Sequence, residues 1–238
     1  MNVCKLDHRQ RPGSSLAVRS RHRARLQMDR TLPGRKAWVL VGVVLASLIL
    51  SPGVRACRLA VLGDSLAAGY GVADAEAFPV RLEQALKAHG VDCAVLNAGV
   101  SGDTSAGGLA RLDWVLADQP THLLVELGGN DALRALPVEE LRKNITQIIE
   151  TAEGRGVQVI LAGMLAPPNL GRSYTEDFKR VYLDLARAHD VPLYPFFLDG
   201  VVLQDGLMQP DGIHPNARGV DVIVERITPL LVSVLQDS

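Results

Sequence analysis

From Arg58 onward, short uninterrupted apolar runs alternate with longer stretches in which apolar residues recur every three or four positions. The short runs, Leu59–Leu62, Cys93–Leu96, His122–Leu127, Val157–Leu161 and Val191–Tyr194, have the length of strands. The longer ones, near 77–88, 105–116, 138–153, 175–188 and 216–235, have the period of helices with one face buried. Strands that are apolar at nearly every position suit a parallel sheet covered by helices on both faces. Strand–helix units in this order predict a three-layer α/β/α, flavodoxin-like domain with a five-stranded parallel sheet. No internal repeat, low-complexity segment or shift in composition divides residues 57–238, so they are expected to form a single domain.

The segment before Arg58 has a different pattern. Ten Lys and Arg residues stand against two acids in residues 1–36, and an uncharged run of fourteen residues follows, Ala37–Leu50. That run falls short of the roughly twenty residues a spanning helix needs. It ends in Ser51-Pro52-Gly53, and Val54-Arg55-Ala56 offers small residues where a signal peptidase reads. The expectation is a secretory signal peptide cleaved after Ala56, against the alternative of an uncleaved anchor. Met28 opens a leader of ordinary length and is a candidate for the true start. The reading places the mature chain outside the cytoplasm, periplasmic or secreted, with no stable membrane insertion after cleavage.

Charge is divided between the two segments. Overall the net charge is -1, but residues 57–238 carry fourteen basic against twenty-four acidic residues. A body that acidic is poorly suited to nucleic acid, which is bound through neutralisation of its phosphates. The composition, 47% hydrophobic and 21% charged, is that of a globular protein.

Four stretches carry candidate chemistry. Ala60-Val61-Leu62-Gly63-Asp64-Ser65-Leu66 turns sharply at Gly63 and leaves Ser65 just past a strand, at the edge where open α/β sheets place their ligands. Ser65 there is either a nucleophile or the N-cap of the next helix. Asn97-Ala98-Gly99-Val100-Ser101-Gly102-Asp103-Thr104 has glycines whose N–H groups can face a cleft, or is a plain turn capped by Asp103 or Thr104. Glu126-Leu127-Gly128-Gly129-Asn130-Asp131 closes a strand at the same edge, and the Asn130 amide can donate to a developing oxyanion. Met208-Gln209-Pro210-Asp211-Gly212-Ile213-His214-Pro215-Asn216 sets Asp211 three residues before His214. In a tight loop its carboxylate reaches Nδ1 and leaves Nε2 as a base. Of the four histidines in the body, His214 alone has a close carboxylate partner in a loop. Nucleophile, base, orienter and oxyanion donors together are what acyl transfer requires.

These stretches resemble, in order, the four sequence blocks of the GDSL, or SGNH, hydrolase family. Gly63-Asp64-Ser65-Leu66 is similar to the first, Ser101-Gly102-Asp103 to the second, Gly128-Gly129-Asn130-Asp131 to the third and Asp211-Gly212-Ile213-His214 to the fourth. Gly69-Tyr70-Gly71, Leu123–Leu127 and 191–197 bring the chain nearest the bacterial periplasmic thioesterase I, lysophospholipase and arylesterase subgroup. The resemblance implies Ser65 as nucleophile, His214 as base and Asp211 as its orienter. It implies the Ser65 N–H, the Gly102 N–H and the Asn130 amide as oxyanion donors. Neither metal nor organic cofactor is implied. No helix carries His-x-x-x-His, and no Cys/His cluster matches a zinc site.

The expected partner is a small acyl ester or thioester, and nothing requires more than a monomer. The apolar stretch Gly163–Leu170, with Leu165, Pro167 and Leu170, is expected to border the acyl group. A carbohydrate O-acetylesterase, which would need a polar groove, is the rival enzyme. A binding module without catalysis is the rival from another class. Cys57 immediately precedes the first predicted strand and Cys93 begins the second, its expected neighbour, which places both thiols at the edge opposite the site within reach of a disulfide. The alternatives are a lipidated Cys57 and two free thiols.

Overall fold

The computed structural model describes residues 56–236. The leader, the candidate start at Met28 and the apolar run of residues 37–50 lie outside the described residues.

Five parallel strands form the sheet: β1 (Cys57–Gly63), β2 (Cys93–Gly99), β3 (His122–Glu126), β4 (Gln158–Ala162) and β5 (Leu193–Tyr194). Their order is β2-β1-β3-β4-β5. This is the doubly wound order in which the chain departs to either side of β1, opening a crevice at the carboxyl ends of β1 and β3. The central strands are buried throughout: Leu59–Leu62 and Leu123–Val125 have almost no exposed surface. That explains why their sequences do not alternate, since helices cover both faces.

The helices are α1 (Ser65–Ala68), α2 (Phe78–Ala88), α3 (Ser105–Ala110), α4 (Leu112–Ala117), α5 (Gly129–Leu133), α6 (Val138–Glu153), α7 (Arg172–His189) and α8 (Ala217–Gln236). α2 packs against α8, whereas α6 packs against α3 and α7. Phe78 meets Phe197 edge to face at 4.9 Å between ring centroids, an arrangement aromatic pairs favour. Among the described residues no helix is long and apolar enough to cross a membrane.

Two elements depart from the sequence pattern. The helix expected over 105–116 is broken at Arg111 into α3 and α4. The glycines of α3 bring it close to the sheet: a Cβ on Gly108 would stand 2.3 Å from Leu127 Cδ1. Arg111 reaches back to the sheet edge, donating from Nη2 to the Gly63 carbonyl at 2.9 Å and from Nε to Asp103 at 2.6 Å. The fifth strand is only Leu193–Tyr194 rather than 191–194. Pro192 has no N–H to give, although its carbonyl still accepts from Leu161 at 2.8 Å.

Candidate active site

The first strand and the turn after it place the serine. Gly63 ends β1 so close to β3 that a Cβ there would stand 2.5 Å from Glu126 Oε2. Capping of α1 falls to Asp64, whose Oδ1 accepts from the Leu66 N–H at 3.0 Å. Ser65 is therefore free of the capping task that its sequence position allowed. Its Oγ lies 2.9 Å from His214 Nε2.

The histidine comes from a loop closed by an antiparallel bridge between Met208 and Pro215. The Gln209 N–H donates to the His214 carbonyl at 2.7 Å, and its side chain donates to the carbonyls of Tyr70 and Pro215. Gly212 passes through φ +68°, the left-handed region that glycine enters at little cost. Inside this loop Asp211 Oδ1 accepts from the N–H groups of Ile213 and His214, at 2.9 and 3.0 Å. Its Oδ2 lies 2.7 Å from His214 Nδ1. These bonds, that to the imidazole first, hold the Asp211 carboxyl down at about 2. A carboxylate accepting at Nδ1 leaves Nε2 without a proton and facing the serine. Tyr70 lies against the imidazole, with ring centroids 4.5 Å apart.

The two remaining blocks arrive at the same edge. Gly102, at φ +86°, presents its carbonyl to Arg134 Nη2 at 2.7 Å. Thr104, rather than Asp103, caps α3 by accepting from the Gly107 N–H. Gly128 sits at φ +114°, where a Cβ would collide with the Tyr182 hydroxyl. That hydroxyl donates to the Leu127 carbonyl at 2.7 Å. Asn130 Nδ2 donates to Asp64 Oδ2 at 2.9 Å.

A cavity of about 870 Å³ opens beside Ser65, Asn130 and His214. Much of its remaining wall is apolar, including Leu133, Met164, Leu165, Pro167, Phe196 and Leu203. Leu165 and Pro167 line it. Leu170 is not among its lining residues. It closes the 3₁₀ turn Pro168–Leu170, after which the chain enters α7. Leu203 was not anticipated; it stands on the wall 93% exposed. Among the described residues no group of three or more His, Cys, Asp or Glu side chains could hold a metal ion.

Beneath the serine lies a buried acid that sequence reasoning passed over. Glu126 is fully buried, accepts from the Asp64 N–H at 3.2 Å, and is pushed well above the usual carboxylate range by burial and then by the Asp64 charge. The signal was present as the one charged residue in the apolar run Leu123-Leu124-Val125-Glu126-Leu127. Asp64 was visible as part of the first block, but its bond to Asn130 was not. Burial raises Asp64 to about 6.

A doubly wound sheet with serine, imidazole and carboxylate hydrogen-bonded in series at its carboxyl edge has the architecture of an ester hydrolase. Residues 61–222 match the GDSL-like Lipase/Acylhydrolase family. The chain belongs to that family. Esterase TesA of Pseudomonas aeruginosa is 40% identical over 198 residues, covering 83% of this chain and 98% of the relative. Thioesterase 1/protease 1/lysophospholipase L1 of Escherichia coli is 40% identical over 178 residues, covering 73% and 84%. Among solved structures, TesA superposes with a TM-score of 0.70 at 42% identity, covering 73% of this chain and 97% of that one. Esterase EstA from Pseudoalteromonas sp. gives 0.72 at 32% identity, covering 75% and 98%.

Proposed function

We propose that this chain is an exported serine esterase and thioesterase that works through an acyl-enzyme on Ser65. His214 Nε2 takes the Ser65 Oγ proton as the oxygen attacks the acyl carbonyl. Asp211 holds the Nδ1–H and stabilises the imidazolium that forms. The Ser65 N–H, the Gly102 N–H and the Asn130 amide receive the oxyanion. Collapse breaks the bond to the leaving alcohol or thiol, which takes its proton from His214. Water, deprotonated by the same imidazole, then releases the acid and restores Ser65. No cofactor takes part.

The observation that carries this reading is the unbroken series from Ser65 Oγ through His214 to Asp211, at 2.9 and 2.7 Å. The apolar cavity wall favours acyl chains over sugar, and so favours aryl esters, acyl-CoA and lysophospholipids over carbohydrate acetates. Export is supported by the basic leader and the apolar run before Cys57. The test is turnover of a p-nitrophenyl ester series combined with fluorophosphonate labelling. Medium and longer chains should be hydrolysed, with the label on Ser65. A strict acetyl preference would favour the carbohydrate esterase, and absence of both turnover and label would leave only a binding module. Sequencing the amino terminus of protein recovered from the periplasm should begin at Cys57. Recovery of an intact leader there would overturn export with cleavage.

A further inference from the structure

An asparagine can serve an oxyanion only if its amide turns nitrogen, not oxygen, toward the substrate. The two ends of a carboxamide have nearly the same shape, so the surroundings must choose between them. Here the choice lies with Asp64. Its Oδ2 accepts from Asn130 Nδ2 at 2.9 Å, while its Oδ1 is occupied by the Leu66 N–H at 3.0 Å. A carboxylate only accepts, so a reversed amide would set oxygen against oxygen. One Nδ2 hydrogen is thereby committed to Asp64, and the other is left for a ligand in the cavity that Asp64 and Asn130 both line.

The surroundings hold Asp64 in this task. It is 2% exposed. Its backbone N–H is fixed by the buried Glu126 beneath it, at 3.2 Å. Gly129 keeps the approach open, since a Cβ there would stand 3.1 Å from Asp64 Oδ2. A hydrogen bond to a charged acceptor is also among the stronger kinds, so the amide is held against rotation.

We infer that Asp64 is a positioning residue for hydrolysis: its carboxylate decides which end of the Asn130 amide faces the substrate and fixes that end in place. The inference rests on the reading of Asn130 as an oxyanion donor, and the experiment separates the two. Asp64→Asn keeps the size of the side chain and an oxygen for the Leu66 N–H, but opposes one NH₂ with another. It should lower kcat by roughly 10²-fold, as loss of an oxyanion donor does, with KM within about twofold. Asp64→Ser keeps a capping oxygen but withdraws the acceptor from Asn130, and is used in the same way if the first variant does not fold. Asn130→Ala, alone and combined with the Asp64 variant, completes a double-mutant cycle.

In the background lacking the amide, the Asp64 substitution should cost less than about threefold, because nothing remains to orient. Losses that multiply in full would assign Asp64 to capping alone and overturn the inference. So would an Asp64 variant with unchanged kcat beside a slow Asn130→Ala. An Asn130→Ala enzyme as fast as the parent would overturn the role of Asn130 itself, and that of Asp64 with it.

Discussion

At the amino-terminal edge of the sheet, β1 and β2 begin as directly paired residues, Cys57 opposite Cys93, with their Cα atoms 4.6 Å apart and their sulfurs bonded. At the carboxyl-terminal edge the same strands end at Gly63 and Gly99, where a Cβ on Gly99 would stand 2.3 Å from the Ala68 backbone nitrogen. The β1–β2 ladder runs unbroken from one edge to the other, and the first edge adds a covalent bond to it. The second is held by close backbone approach and by acids buried against their preference. Burial raises both Asp64 and Glu126, which means that each ionised form is disfavoured by the fold. The edge where Ser65 stands therefore carries acids in places that cost their ionised forms, while the other edge carries the covalent bond.

This contrast can be broken from either side. The largest effect is expected at the carboxyl edge, where Ser65→Ala should lower kcat on the order of 10⁵-fold while the melting temperature stays within a few degrees. His214→Ala should be comparably slow, and the double variant hardly slower, because the pair acts as a unit. Ester turnover beside thermal unfolding checks both halves of the claim. Activity within tenfold of the parent would remove Ser65 from the chemistry.

The amino edge should give the mirror result. Replacing Cys57 and Cys93 with Ala opens a bridge spanning 36 residues of sequence. By the chain-entropy relation this should cost about 4 kcal/mol of stability and leave kcat untouched. Urea unfolding of the variant, with an Ellman titration showing no free thiol in the denatured, unreduced parent beginning at Cys57, tests it.

A smaller change sharpens the comparison. Asn130→Ala should lower kcat by about 10²–10³-fold and leave KM nearly constant, since the lost donor acts in the transition state. A rise in KM alone would make Asn130 a ground-state contact.

The least effect is one of pH on stability. Asp64 is raised from 3.8 to about 6 in the fold, so the folded state binds its proton more tightly than the unfolded chain. Its contribution is therefore greatest below pH 3.8 and is lost as pH rises through 6, a fall on the order of 3 kcal/mol. Asp211, lowered to about 2, contributes in the opposite direction and in a more acidic window, losing its stabilisation as pH falls through 2. Denaturant midpoints at pH 4 and pH 7 should converge in Asp64→Asn relative to the parent. An unchanged difference would mean that Asp64 is not the group responsible.

The α/β class, the parallel sheet and the four blocks were legible in the sequence because each is a local pattern. Continuous apolar runs report strands covered on both faces, and Val138–Glu153 shows its helix by period alone. Asp211 and His214 are three residues apart, so their hydrogen bond is nearly a property of the loop itself. Other features join distant residues, and only the tertiary structure decided them. Ser65 and His214 are separated by 149 positions, Asp64 and Asn130 by 66, Arg111 and Gly63 by 48. The capping choice between Asp64 and Ser65 was also undecided locally, because both residue types cap well. It was settled when His214 arrived at hydrogen-bond distance from Ser65 and Asn130 at that distance from Asp64. A sequence records which groups a segment can offer, whereas burial and distance, which fix what each group does, exist only once the strands have brought those segments to one edge.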